Sequence, residues 1–238
     1  MPAPSDRVVT VATYNVHSCV GTDGRRDPER VAQAIGELDA DIVGLQEVDS
    51  GYRHAGGVDQ LDALSRRTKM HAVAGPTLVD SAKSYGNGLL SRRPPLGVRR
   101  LDLSVPGFEP RGALVADFDV DGLALRVIVT HFGLSAAERF TQAGRLVGLL
   151  DDRPEGVQIL LGDFNEWAPR RRTIRLLATH FGPSARLRTF PSRFPLFALD
   201  RIWVVPPGQT ASARTLKTPL FRIASDHLPV VARIRLGS

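Results

Sequence analysis

The stretch Ile159-Leu-Leu-Gly-Asp-Phe-Asn-Glu-Trp167 decides how the rest of the chain is read. An apolar run, Val157–Leu161, stops at Gly162, and Asp163 and Asn165 follow with one aromatic residue between them. A short apolar run bounded by glycine reads as a buried strand. Residues two apart in extended chain point the same way, so Asp163 and Asn165 are expected to project together from the strand's end. A carboxylate and a carboxamide so placed offer hard oxygens suited to Mg²⁺ and an amide donor for a phosphate. By itself the segment reads equally well as a polar turn closing a strand.

Working outward, the same arrangement recurs. The β-branched run Val8–Asn15 ends in Asn15, and Ile42–Leu45 leads into Gln46-Glu47. Leu123–Thr130 is followed by His131, and Ser225-Asp226-His227 precedes the run Val230–Ile234. Each polar group has an ordinary alternative: a turn cap for Asn15, a solvated rim for Glu47, a hydrogen-bonded structural ring for His131, a cap for Asp226. Together, Asn15, Glu47, His131, Asp163, Asn165, Asp226 and His227 are the oxygen and imidazole groups that metal-assisted phosphoryl transfer uses.

The remaining elements place these strand ends in a mixed fold. Asp27-Pro28 reads as an N-cap with proline at the first helical position, and Val31, Ala34, Ile35 and Leu38 form one helical stripe. Strand, helix and strand in this order make an α/β unit. Gly51–Asp59 reads as a loop and Gln60–Thr68 as a helix. Met70–Ala74, Gly88–Ser91, Val98–Leu103 and Ala113–Val120 read as strands, with Asp121-Gly122 a hairpin turn into Leu123–Thr130. Helices are expected over Ala136–Leu150 and over Arg170–Ala178, with Pro169 near the start of the second. Leu187–Leu199 reads as an irregular loop, followed by strands at Ile202–Val205 and Ala211–Leu216. With no internal repeat and no low-complexity linker, residues 1–238 read as a single domain.

Composition bounds the function. The 238 residues are 42% apolar and 24% charged, ordinary for a folded water-soluble chain, and no apolar run reaches the roughly 20 residues that span a bilayer. The opening Met1-Pro-Ala-Pro-Ser-Asp-Arg7 lacks the apolar stretch of a signal peptide. The single cysteine, Cys19, excludes an internal disulfide and reads as a small buried hydrophobe in a reducing, cytoplasmic setting. The formal charge of +6 favours an anionic partner. Its basic residues come as doublets (Arg66-Arg67, Arg92-Arg93, Arg99-Arg100) and one triplet, Arg170–Arg172, so charge points to phosphate chemistry without choosing the phosphate.

Taken in order, Tyr14-Asn15, Leu45-Gln46-Glu47, Asn87 in Gly86-Asn-Gly-Leu-Leu-Ser91, Thr130-His131, Gly162-Asp163-Phe-Asn165, Leu199-Asp200 and Ser225-Asp226-His227-Leu-Pro229 resemble the endonuclease/exonuclease/phosphatase superfamily from end to end. The resemblance implies an α/β (α+β) fold, a four-layer sandwich of two packed mixed β-sheets flanked by helices, with the site at one rim. It also implies roles. Glu47 would be the main protein ligand of Mg²⁺ or Mn²⁺, with Asn15 and Asp226 completing the set. Asp163 would orient or deprotonate the attacking water, and Asn165 would donate to phosphoryl oxygens. His227 would contact the phosphate or act as the base, held by Asp200, and His131 would be a phosphate contact or the leaving-group acid. Arg111 and Asn87 resemble substrate-binding positions.

The function this implies is a metal-dependent phosphodiesterase acting on nucleic acid or a phospholipid headgroup. A phosphomonoesterase of the same superfamily and a non-catalytic phosphate-binding module are the alternatives. A histidine at 131 is more like the branches that cut DNA non-specifically, sphingomyelin or inositol phosphates than the abasic-site endonucleases, which carry tyrosine there. The Phe190–Phe197 loop reads as a covering loop or as a surface for bases or lipid.

Overall fold

Period-two burial in the strands sets the architecture. In β1 (Arg7–Asn15) Val9 and Val11 face one way and Ala12 and Tyr14 the other, and both faces are buried. A strand buried on both faces belongs to an inner layer, and the same holds over most of β2 (Ile42–Ser50), β4 (Lys83–Ser91), β6 (Gly112–Val120), β7 (Leu123–His131), β8 (Val157–Asp163) and β9 (Asp200–Val205), while β11 (Val230–Leu236) buries its inter-sheet face and exposes Arg233 and Arg235 on the other. With β3 (His71–Asp80), β5 (Gly97–Asp102) and β10 (Thr210–Thr215) they form two mixed sheets. One has six strands in the order β10-β11-β1-β2-β4-β3, the other five in the order β5-β6-β7-β8-β9.

The sheets pack face to face through Val9, Val11, Ile42, Leu89, Leu114, Leu125, Val127, Val129, Ile159, Leu161, Ile202, Val230 and Ile234. Outside the six-stranded sheet lie α1 (Pro28–Glu37), α2 (Gln60–Thr68) and α5 (Pro219–Ala224), against Tyr14, Val43, Leu45 and Leu90. Outside the five-stranded sheet lie α3 (Ala136–Leu149) and α4 (Arg172–Phe181), against Val115, Ile128, Leu160, Phe164 and Trp203. The result is the four-layer α/β sandwich that the resemblance implied. A computed structural model describes residues 7–54, 59–81, 83–150, 156–168 and 171–237. The N-terminal Met1–Asp6 reading, part of the Gly51–Asp59 loop, Pro169, and Arg170 of the helix and triplet fall outside these residues.

Local chemistry explains most boundaries. Asp27 caps α1 by accepting from Arg30 N at 2.9 Å, with Pro28 at the first helical position. Asp121 (φ 55) and Gly122 (φ 86) take the left-handed pair of a two-residue hairpin turn between β6 and β7. Other boundaries differ from expectation. β8 continues through Gly162 to Asp163, and β3 and β4 form a hairpin much longer than Met70–Ala74 and Gly88–Ser91, interrupted by a register shift at Pro76/Leu78. The helix expected over Arg170–Ala178 is described from Arg172 and runs on to Phe181. α5, only six residues long, has too little periodicity to be read as a helix. Among the described residues no helix is long and apolar enough to cross a membrane.

Gly162 is a position that only glycine fills. Its φ is +154°, and a Cβ there would collide with the Thr130 carbonyl across the β7–β8 pairing. Gly162→Ala is expected to cost about 1–3 kcal/mol of stability, measured by urea unfolding; an unchanged midpoint would contradict the packing described. Cys19 is fully buried and burial pushes its thiol up to about 12. It should therefore resist iodoacetamide at pH near 8 in the native protein and react fully once urea unfolds it; rapid native labelling would contradict its burial.

Candidate active site

Strand parity delivers the polar groups to one end of the space between the sheets. His131, Asp163 and Asn15 continue the inward-facing series of β7 (Val127, Val129), β8 (Ile159, Leu161) and β1 (Val9, Val11). β7 and β8 run parallel, with His131 paired to Asp163, and β9 runs antiparallel to β8, which sets Asp200 beside Asp163. His227 arrives just ahead of β11, which pairs with β1. The segment Thr189–Ser192 clamps it: Leu228 N donates to Thr189 O at 2.9 Å, Ser192 Oγ donates to Ser225 O at 2.7 Å, and the Phe190 ring lies 4.9 Å from the imidazole.

Asp163 Oδ2 is the point of convergence. Asn15 Nδ2 donates to it at 3.1 Å, and the Nε2 atoms of His131 and His227 lie 3.6 and 3.7 Å away. Asn165 reaches the site through a turn rather than by strand parity. Its φ is +50°, its backbone N donates to Asp163 Oδ1 at 2.9 Å, and its Nδ2 lies 3.1 Å from His131 Nε2. His227 Nδ1 lies 2.9 Å from Asp200 Oδ2, so that ring is held at both nitrogens. Asp200 Oδ1 is buried without a hydrogen-bond partner among the described residues.

Electrostatics separate the two histidines. Burial raises the Asp163 carboxyl to about 6, against the pull of His227. Burial also opposes the charge on His227, but Asp200, Asp163 and Asp226 outweigh it and push the ring up to about 10. His131 is lowered well below the usual range by burial and by the charges of Arg111 and His227. Its Nδ1 sits 3.3 Å from Arg111 NH1 and its Nε2 faces Asn165 Nδ2, both donors, so a neutral ring suits it.

Glu47 stands apart from this group. Gln46 and Glu47 together oppose Asn87 in the β2–β4 pairing, a β-bulge in which Glu47 takes φ +60°. Without the bulge Glu47 would continue the outward series of Val43 and Leu45; with it, the carboxylate accepts from Asn15 Nδ2 at 3.0 Å. Asp226, half-buried, lies 3.7 Å from His17 Nδ1, with Ser225 Oγ at 3.3 Å. The oxygens of Glu47 and Asp226, with the Asn15 amide between the sheets, are a donor set of the kind Mg²⁺ and Mn²⁺ prefer. The other cluster, Asp163, Asp200 and His227, has its ligand atoms within 4.8 Å of one another. Its imidazole already has a carboxylate at each nitrogen, which fits a proton-handling group better than a metal cage.

Asn87 and Arg111 take different positions. Asn87 is buried and donates from Nδ2 to Gly112 O at 3.0 Å, a brace between the sheets that fixes the residue next to Arg111. Arg111 faces His131, with its Nε buried and unpartnered among the described residues. Sequence reasoning passed over three supports. Asp49 accepts from the backbone of Tyr52 and Arg53 at 2.8 and 3.0 Å and shapes the loop after Glu47. Glu166, beside Asn165, pairs with Arg139 of α3 at 3.0 Å, both buried, and Arg139 also donates to Leu134 O at 2.6 Å. Glu109 bridges Arg53 and Arg111. Asp49 acts locally, on backbone three and four residues on, whereas the fold alone brings Glu166 to Arg139 and Glu109 to Arg53.

Comparison with known proteins identifies the family and the fold. The chain is 33% identical over 248 residues to YbhP of Escherichia coli K12, covering 95% of this chain and 96% of that one. The crystal structure of an endonuclease/exonuclease/phosphatase from Beutenbergia cavernae superposes with a TM-score of 0.77 at 26% identity, over 98% of this chain and 72% of that one. A Bacteroides thetaiotaomicron mannosyl-6-phosphatase shares the fold with a TM-score of 0.76 at 19% identity, over 97% of this chain and 100% of that one. The family model described as Endonuclease/Exonuclease/phosphatase family matches residues 12–227, and the chain belongs to that family.

Proposed function

We propose that residues 1–238 act as one catalytic domain, a metal-dependent phosphodiesterase whose substrate is a nucleic acid or a phospholipid headgroup. The observation that carries this reading is the convergence of Asn15, His131 and His227 on the single buried oxygen Asp163 Oδ2. Burying a carboxylate costs stability even among donors and imidazoles, and such a perturbed buried carboxyl marks a functional site.

Glu47, with Asn15 and Asp226, would hold Mg²⁺ or Mn²⁺, which when bound polarises a phosphoryl oxygen and neutralises charge developing on the leaving group. Asp163 orients the attacking water and accepts its proton; a carboxyl raised to about 6 is a better base than an ordinary one. Asp200 fixes the His227 ring, whose cationic form faces the phosphoryl oxygens. Asn165 Nδ2 donates to Phe132 O at 2.9 Å, which orients the amide, and its second N–H, which faces His131, is the one left for a phosphoryl oxygen. His131, kept neutral, serves as a phosphate contact in preference to a leaving-group acid. Arg111 supplies a buried cation to the same phosphate. The single cysteine fits a cytoplasmic setting. A monoesterase is the second reading, favoured by the shared fold of the mannosyl-6-phosphatase.

With Mg²⁺ or Mn²⁺ the protein is expected to hydrolyse bis-p-nitrophenyl phosphate faster than p-nitrophenyl phosphate, and EDTA should abolish both. Asp163→Ala should lower the rate by about 10²–10⁴-fold while leaving the far-UV spectrum native. A preference for the monoester would move the assignment to phosphatase. Metal-loaded protein inert to both esters would favour a phosphate-binding module.

A further inference from the structure

Arg53 is not among the residues that the family motifs single out, yet it stands at the edge of the site. Its backbone is fixed by Asp49 Oδ1 at 3.0 Å, and Asp49 is fully buried two residues after Glu47. Its guanidinium lies over the buried Tyr85 ring, 4.1 Å from the centroid. One Glu109 oxygen pairs with Arg53, and the other lies 3.1 Å from Arg111 NH1. From Arg111 NH1 it is 3.3 Å to His131, and His131 Nε2 is 3.6 Å from Asp163. Glu47 and His131 both lie within electrostatic reach of Arg53.

Two cations and one carboxylate leave this group with a net positive charge. The two arginines differ in exposure: the Arg111 side chain is 9% exposed and keeps a buried Nε without a partner among the described residues, while the Arg53 side chain is 40% exposed at the rim. A half-exposed Arg–Glu pair is worth about 0–1 kcal/mol, which gives stability little reason to order it here. The aromatic seat and the carboxylate tether instead hold a guanidinium in one orientation with N–H groups to spare, the geometry that recognises phosphate.

We propose that Arg53, tethered through Glu109 to Arg111, is a second phosphate subsite beside the scissile ester, and that the preferred substrate carries another phosphate next to the one attacked. This rests on the diesterase reading above. Arg111 faces the phosphate at His131, and Arg53 takes its neighbour at the rim. A nucleotide chain and a phosphorylated inositol headgroup both supply that chemistry.

Matched substrate pairs test it with Mg²⁺ present. They are dithymidine phosphate with and without an added phosphate at either end, and glycerophosphoinositol with and without a ring phosphate. In the wild type one phosphorylated member should be favoured in kcat/KM by about tenfold or more, as expected for one charged hydrogen-bonding group. Whichever pair shows the preference identifies the source. Arg53→Gln should bring that ratio near one, and Arg53→Lys should retain part of it. Equal rates across every pair, or a preference that survives Arg53→Gln, would overturn the proposal. If no diester is turned over, the diesterase reading has failed and calorimetry still reads the subsite. Pyrophosphate should then bind the wild type about tenfold more tightly than orthophosphate, with the difference lost in Arg53→Gln; equal affinities in the wild type would overturn the proposal.

Discussion

Asp163 carries a carboxylate into the space between two sheets, where burial works against its charge, and the neighbouring structure is arranged around that cost. An isolated buried carboxylate would be prohibitive; one met by amide donors and an imidazolium is tolerable. Asn15 comes from one sheet, His131 and Asn165 from the other, and His227 from the segment that leads into β11. The site therefore exists only while both sheets are in register. That ties the geometry of the site to the packing of Val11, Leu161, Val129 and Ile234 in the layer beneath. Gly162 has the same significance: the close approach of β7 and β8 at its Cα brings His131 level with Asp163.

The proposed metal ligands and the proposed proton-handling groups occupy separate parts of the rim. Asp163, His227 and Asp200 form a chain of buried charges whose nitrogens and oxygens largely satisfy one another. Glu47 is delivered by a bulge, half-buried, with Asn15 as the link between the two constellations. Asn15 is thus the residue whose amide touches both constellations. The second layer is equally specific. The Arg139–Glu166 pair joins α3 to the turn bearing Asn165, and Asp49 organises the loop bearing Arg53.

Much of this was legible in the sequence because strands end abruptly. Gly162-Asp163, Asn15 and His131 stand where apolar runs stop, and two-residue periodicity says which face they share. The Asp27-Pro28 cap and the Asp121-Gly122 turn are equally local signals, and the structure contains both. The expected projection of Asn165 by strand parity was right about proximity and wrong about cause, since a left-handed turn supplies it. What could not be read depends on pairing and contacts that no apolar run or turn signal marks. The β3–β4 hairpin is obscured by its register shift, and Asn87 serves as a brace to Gly112. Arg53, Glu109, Glu166 and Arg139 look like ordinary surface charges until the fold gives them partners.

The most direct test of this division is Mn²⁺ binding, read by electron paramagnetic resonance, in the wild type, Glu47→Gln and Asp200→Asn. Mn²⁺ should bind the wild type and Asp200→Asn with similar affinity and bind Glu47→Gln at least about tenfold more weakly. Binding that survives Glu47→Gln but disappears in Asp200→Asn would contradict the division, and would make Asp163, Asp200 and His227 the metal centre instead.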